Sequence, residues 1–160
     1  MAAQDDLSPA IAALRKALEC DADYLPAYTF LGLLLNRQQN YAESENILQR
    51  GLRRAPNAWD LHYQLAIALY GGGRYAQAEQ EYVKTQSLNP APPPELHAKL
   101  ADIYLKESAY EKAFKEMQIY LALEPDGRFA SRIRRIMHEL ESGGAARTPA
   151  QPAEPAPPKP

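Results

Sequence analysis

The side chains that could do chemistry are few and scattered. Three histidines stand at His62, His97 and His138, with one cysteine at Cys20. His62 and His97 could lie on neighbouring helices and offer two imidazoles to a metal. A zinc site needs more ligands than that, with hydrogen-bonded support behind them, and no CxxC or Cys/His cluster supplies it. Both histidines are therefore expected to pack between helices, each with one ring nitrogen in water. Gly71-Gly72-Gly73 lacks the Lys-Ser/Thr that would make it a phosphate loop and reads as a turn. The acid pairs Glu79/Glu81 and Asp5/Asp6 belong to exposed faces or a chain end, where nothing raises a carboxyl pKa for general-acid work. Cys20 falls at a helix end whose dipole disfavours a thiolate. The expectation is no catalytic residue, no metal, no cofactor and no enzyme activity.

Composition narrows the remaining classes. The 160 residues carry a net charge of −2, and 46% are hydrophobic, enough for one packed domain. The one short basic run, Arg128, Arg132, Arg134 and Arg135, reads as a solvated helix face rather than a nucleic-acid surface. The longest apolar stretch, Tyr28 to Leu35, falls well short of the roughly 20 residues a membrane span requires. No signal pattern opens the chain, and a single cysteine fits a reducing compartment, so a cytoplasmic location is favoured. The richness in Ala, Arg and Pro points to a bacterial source.

What must position any functional surface is a repeat. Leu31, Leu65 and Leu100 occupy one column, followed each time by a small residue, Gly32, Ala66 or Ala101. Leu35, Leu69 and Tyr104 come next, then Tyr41, Tyr75 and Tyr110, then Ser44, Ala78 and Ala113, and finally Pro56, Pro90 and Pro125. The first step is 34 residues and the second 35, the extra one falling in the run Pro92-Pro93-Pro94. Ala10, Leu14, Ala17 and Ala22 match Ser44, Leu48, Gly51 and Pro56, which adds half a unit at the start.

Each unit reads as two helices. Pro26 suits a first helical turn, and Leu31, Leu34 and Leu35 follow at helical spacing. A second helix is expected from about Tyr41 to Ala55, stopped by Pro56, because residues before proline avoid helical angles. Asn57 is expected to cap the next helix, and Ser108 with Glu111 to form a capping box. A small residue beside a large one lets two antiparallel helices approach, so the Gly32 column should face the Ser44 column. Leu48, Tyr82 and Met117 should fill the space between units.

These residues resemble the tetratricopeptide repeat, a helix–turn–helix unit of about 34 residues. The resemblance runs from about Ala10 to Pro125. His62 and His97 hold a place the family usually gives to an aromatic, and Tyr120 holds one that is usually small. The resemblance implies an all-α, right-handed superhelical solenoid with first helices lining a concave groove, where a peptide or helix of another protein binds. The matching groove positions are Thr29, Leu33 and Asn36, then Tyr63, Ile67 and Tyr70, then Ala98, Asp102 and Leu105. Some family members hold a terminal carboxylate in this groove. The matching places here are Thr29, Leu33, Ile67 and Glu95, with Lys99 the single base, so that clamp is not expected.

After Pro125 an amphipathic helix is expected to cap the stack, with Ile133, Ile136, Met137 and Leu140 inward; Arg132 and Ile136 would extend the groove. From Gly143 the chain is rich in Pro, Ala and Gly and reads as disordered, with PxxP spacings from Pro149 to Pro155 taken as linker. The expected division is therefore 1–7 disordered, 8–24 a half repeat, 25–58, 59–92 and 93–127 full repeats, 128–142 a capping helix, and 143–160 a disordered tail. The expected function is a protein-interaction scaffold. Two alternatives stand beside it, a structural or oligomerisation module and a C-terminal fragment of a longer array. The half repeat would expose Ile11, Leu14 and Leu18, so homodimerisation through that end also stays open.

Overall fold

The structure is a computed structural model that describes residues 7–143. Those residues form eight α-helices and no strand: α1 (Ser8–Cys20), α2 (Leu25–Arg37), α3 (Tyr41–Leu52), α4 (Trp59–Gly71), α5 (Tyr75–Leu88), α6 (Glu95–Lys106), α7 (Tyr110–Leu123) and α8 (Ala130–Ser142). The fold is all-α, a succession of helix–turn–helix repeats. Apart from Leu7 and Gly143, the expected disordered start and Pro-rich tail lie outside the described residues. The chain divides into two compact units, one through Leu96 and one from His97, so the division falls in the first turn of α6.

The hairpin turns share one backbone device. Gln39, Gly73 and Ser108 each take a left-handed conformation, at φ 60°, 77° and 58°. The following N–H then bonds back across the turn: Asn40 to the Leu35 carbonyl at 2.9 Å, Arg74 to Leu69 at 2.9 Å and Ala109 to Tyr104 at 2.8 Å. These bonds satisfy carbonyls that the helix end would leave orphaned. Only Gly73 adopts the conformation without steric penalty. Ser108 is held inside this turn, so it caps nothing: Ala109 occupies the N-cap of α7 with no side-chain bond. Asn57 is likewise not a cap, because Ala58 holds that place at α4. Helix α3 stops short of Ala55, since the N–H groups of Arg54 and Ala55 both turn back to the Gly51 carbonyl.

In the first unit α2 packs on α3 and α4, and α4 on α5. The small-residue column is where α2 and α3 meet. The Ser44 hydroxyl donates to the Gly32 carbonyl at 3.1 Å, and a Cβ at Gly32 would lie 2.5 Å from Leu48 Cδ2. Leu31, Leu48, Leu61 and Tyr28 are fully buried around this contact. Arg15 pairs with Glu43 and Arg74 with Glu45 at its surface. Helix α1 packs on α2. Ile11 and Leu18 are buried there, contrary to the expectation of an exposed apolar end, and only Leu14 of the three is half-exposed.

In the second unit Leu100, Ile103, Ala113 and Met117 form the core. Tyr120 explains its own departure from the small-residue pattern. Its hydroxyl accepts the Phe129 N–H at 3.2 Å, and its ring meets Phe129 edge-on at 5.8 Å. The large side chain thereby seats α8, which buries Ala130 and Ile133. That helix starts later than Arg128 because Gly127 closes a turn that accepts the Ala130 N–H.

Ser108→Gly removes a left-handed serine and should raise stability by about 0.5–1 kcal/mol in urea denaturation. Gly32→Val drives new methyl groups into buried Leu48 and should lower it by about 1–3 kcal/mol.

Candidate interaction surface

The first unit presents the exposed side of α2 and α4. Thr29 and Leu33 on α2, and Tyr63, Ile67 and Tyr70 on α4, are all half-buried, with apolar bodies covered and edges open. Two polar links fix the spacing of the helices. The Thr29 hydroxyl donates to Asp60 at 2.7 Å. Asn36 donates to the Gln64 carbonyl at 3.0 Å and to its side-chain oxygen at 3.2 Å. Asn36, expected to line the groove, is only 8% exposed and is occupied in lacing α2 to α4. Its Oδ1 is buried without a hydrogen-bond partner among the described residues.

A tyrosine cluster underlies this face. The Tyr63 ring lies 6.1 Å from that of Tyr82 on α5, and Tyr70 meets Tyr75 edge-on at 5.4 Å. Tyr82 is fully buried and its hydroxyl has no hydrogen-bond partner among the described residues. Burial, then the neighbouring hydroxyls of Tyr63 and Tyr70, push its pKa well above the ordinary tyrosine value. It therefore stays a neutral, mostly hydrophobic floor beneath two partly open tyrosines.

In the second unit Ala98, Asp102 and Leu105 lie half-buried on α6, while Arg132 is exposed on α8. Asp102 accepts from Lys106 at 2.6 Å and from Arg132 at 3.4 Å. Lys99, one helical turn before Asp102, is held below the usual lysine range by burial. Asp102 opposes that shift, and Arg128, Arg132 and Lys106 reinforce it. Of the basic run, Arg128 lies 4.3 Å over the Phe129 ring and Arg134 donates to the Pro125 carbonyl at 2.6 Å.

His62 and His97 are hydrogen-bonded within the fold. His62 Nε2 lies 2.9 Å from the Pro56 carbonyl, which can only accept, so Nε2 carries a proton. His62 Nδ1 lies 2.6 Å from Glu81 Oε2. Both nitrogens are engaged, so the expectation of one in water does not hold for His62. His97 meets Glu116 in the same way at 2.6 Å, again 19 residues on. Sequence reading placed Glu81 on an exposed face, whereas it is half-buried against His62, and it missed Glu116, Asp60 and Gln64. The spacing of Glu81 and Glu116 from the two histidines was the signal that could have found them. Among the described residues no group of three or more His, Cys, Asp or Glu is placed to hold a metal, and no helix is long and apolar enough to cross a membrane. Cys20 is exposed.

Three comparisons bear on this arrangement. The profile of the tetratricopeptide repeat family matches residues 31–92 and 63–128. The TPR repeat-containing protein YvcD of Bacillus subtilis (strain 168) is 24% identical over 112 residues, 70% of this chain and 23% of that protein. The chain thus spans about a quarter of that relative's length. Among solved structures, a crystal structure of MamA superposes with a TM-score of 0.75 at 18% identity, covering 88% of this chain and 80% of that one. MamA 41-end from Desulfovibrio magneticus RS-1 gives 0.66 at 19% identity, covering 77% and 69%. At such identities the likeness is one of fold.

Glu81→Ala strips the buried His62 ring of a partner and should cost about 1–3 kcal/mol in chemical denaturation; a change within about 0.5 kcal/mol would show the pair to be unimportant.

Proposed function

This chain belongs to the tetratricopeptide repeat family, and from that premise we propose that it binds an extended peptide or a helix of a partner protein against α2 and α4. The family's repeats are protein-interaction scaffolds, typically without catalysis, and this chain is such a scaffold in general terms. The finer reading is supported above all by Tyr63, Ile67 and Tyr70. They line one side of α4 at helical spacing, half-buried, over the closed floor of Tyr82. Tyrosine offers a large, stiff contact area with a polar tip, the chemistry that partner surfaces favour. Leu33 adds apolar area beside them.

The supporting polar groups are already committed. Thr29 is bonded to Asp60 and Asn36 to Gln64, so the face is organised before a partner arrives. Preorganisation lowers the ordering cost on the protein's side. The partner still loses its own freedom, so an affinity of about 1 μM is expected for one short array.

Peptides selected from a random displayed library should bind the full chain. Tyr63→Ala and Tyr70→Ala should each weaken the selected complex by about tenfold or more, with helicity retained. Val83→Ala, at an exposed position on α5, should leave it unchanged. Equal affinity across all four proteins in calorimetry would place binding elsewhere.

A further inference from the structure

Helix α1 holds the place of a second helix. Its Ala10, Leu14 and Ala17 fall in register with Ser44, Leu48 and Gly51 of α3. All three residues of α3 are buried, and so are Ala78, Tyr82 and Thr85, their counterparts on α5. On α1 the same column opens: Ala10 is exposed, and Leu14 and Ala17 are half-buried. Helix α3 packs on its own first helix, α2, and on the next one, α4. Helix α1 packs on the next one, α2, through Ile11 and Leu18. Among the described residues no helix holds the place of a first helix for α1.

The open edge continues onto α2. Phe30 and Leu34 match Gln64 and Ala68 of α4, one repeat later. Gln64 and Ala68 are buried, because α2 packs on α4 and Asn36 donates to Gln64. Phe30, by contrast, is 55% exposed, and Leu34 is half-buried. Helices α3 and α4 pack on each other and together form the seat that α2 fills. Helices α1 and α2 also pack on each other, so they form the same seat one unit earlier, continuous with the stack. Stacking of such hairpins is what buries their apolar faces.

The way α2 fills its seat specifies an occupant for this one. Gly32 comes so close to Leu48 that a Cβ there would lie 2.5 Å from Leu48 Cδ2. Leu31 and Leu35 on either side are buried. The occupant therefore needs Gly or Ala after a Leu, and an apolar residue three places beyond the small one. The next residue, at the place of Asn36, meets Phe30 here instead of Gln64, so an apolar side chain suits it better than an amide. A second copy has no such helix to give: its Gly32 is packed on Leu48, and its Ala66 and Ala101 are buried. We propose that the α1–α2 edge binds one amphipathic helix of a different protein, antiparallel to α1, which completes the half repeat. This edge is separate from the face of Tyr63 and Tyr70, and neither proposal depends on the other.

The probe is an end-blocked, fluorescently labelled peptide of residues 93–108, whose Leu100, Ala101, Tyr104 and Leu105 carry the required pattern. Titrated with the full chain, it should bind with a rise in anisotropy and a gain of helical circular dichroism. Ala10→Gln, at an exposed position, puts a longer side chain where the helix approaches. It should weaken binding about tenfold or more with the protein's own helicity unchanged. Phe30→Ser, also exposed, should weaken it about fivefold or more. Ala101→Leu in the peptide should do the same by removing the small residue. Tyr63→Ala in the protein should leave the affinity unchanged. Absence of binding would overturn the proposal, as would equal affinity for Ala10→Gln and Phe30→Ser. So would a loss on Tyr63→Ala as large as that on Ala10→Gln, which would put the peptide on the other face. Light scattering of the free chain supplies the last arm: a dimer that Ala10→Gln returns to monomer would give the edge to a second copy and sink the idea of a different partner.

Discussion

Everything in this fold rests on how closely two helices of a hairpin can approach. At Gly32 the backbone of α2 lies so near Leu48 of α3 that a single added carbon would overlap it. The Ser44 hydroxyl uses the same proximity to reach the Gly32 carbonyl. Buried leucines on either side then pack at the density of a protein interior, where each methylene counts. The contact also fixes register. With α2 packed on α3, the left-handed turn at Gln39 brings the Asn40 N–H to the Leu35 carbonyl. The same turn recurs at Gly73 and Ser108. Gly73 could be read as a turn from its residue type, but Gln39 and Ser108 adopt the conformation because packing demands it. Local preference yields to tertiary contact at those two places.

A second recurring element is polar. His62 with Glu81 and His97 with Glu116 share one sequence separation and one 2.6 Å geometry. The histidines occupy a place where the family usually buries an aromatic ring. An imidazole fills similar volume but must be hydrogen-bonded when buried, and each glutamate meets that need from the second helix of the same hairpin. The pairs therefore act as directional links between paired helices, where an aromatic ring would supply only area.

Much of the fold was legible in the sequence because it follows from periodicity. The columns of Leu31, Gly32 and Tyr41 and their counterparts recur at nearly constant spacing, and such recurrence has one economical explanation. Helix boundaries were less legible. Ser108 and Asn57 have the right chemistry for caps, yet the turn geometry gives those places to Ala109 and Ala58. A capping rule reads three or four residues, whereas the turn is set by contacts between whole helices. Tyr120 was legible as an anomaly but not as a purpose, since its partner Phe129 belongs to a helix outside the repeat pattern. At the surface, sequence placed Thr29 and Asn36 among contact residues without foreseeing Asp60 and Gln64, the partners that engage them. Lys99 was visible as one basic residue. Of the cations that act on it, Arg128 and Arg132 come from α8 and the turn before it, and no repeat column connects those to α6.

The repeat leaves each unit its own outward chemistry. The face of α4 carries Tyr63, Ile67 and Tyr70 over the buried Tyr82. On α6 the matching places hold Ala98, Asp102 and Leu105, and Asp102 is engaged by Lys106 and Arg132. The columns that build the hairpins fix only the inward positions of each first helix, so one backbone unit can present aromatic surface in one repeat and paired charge in another.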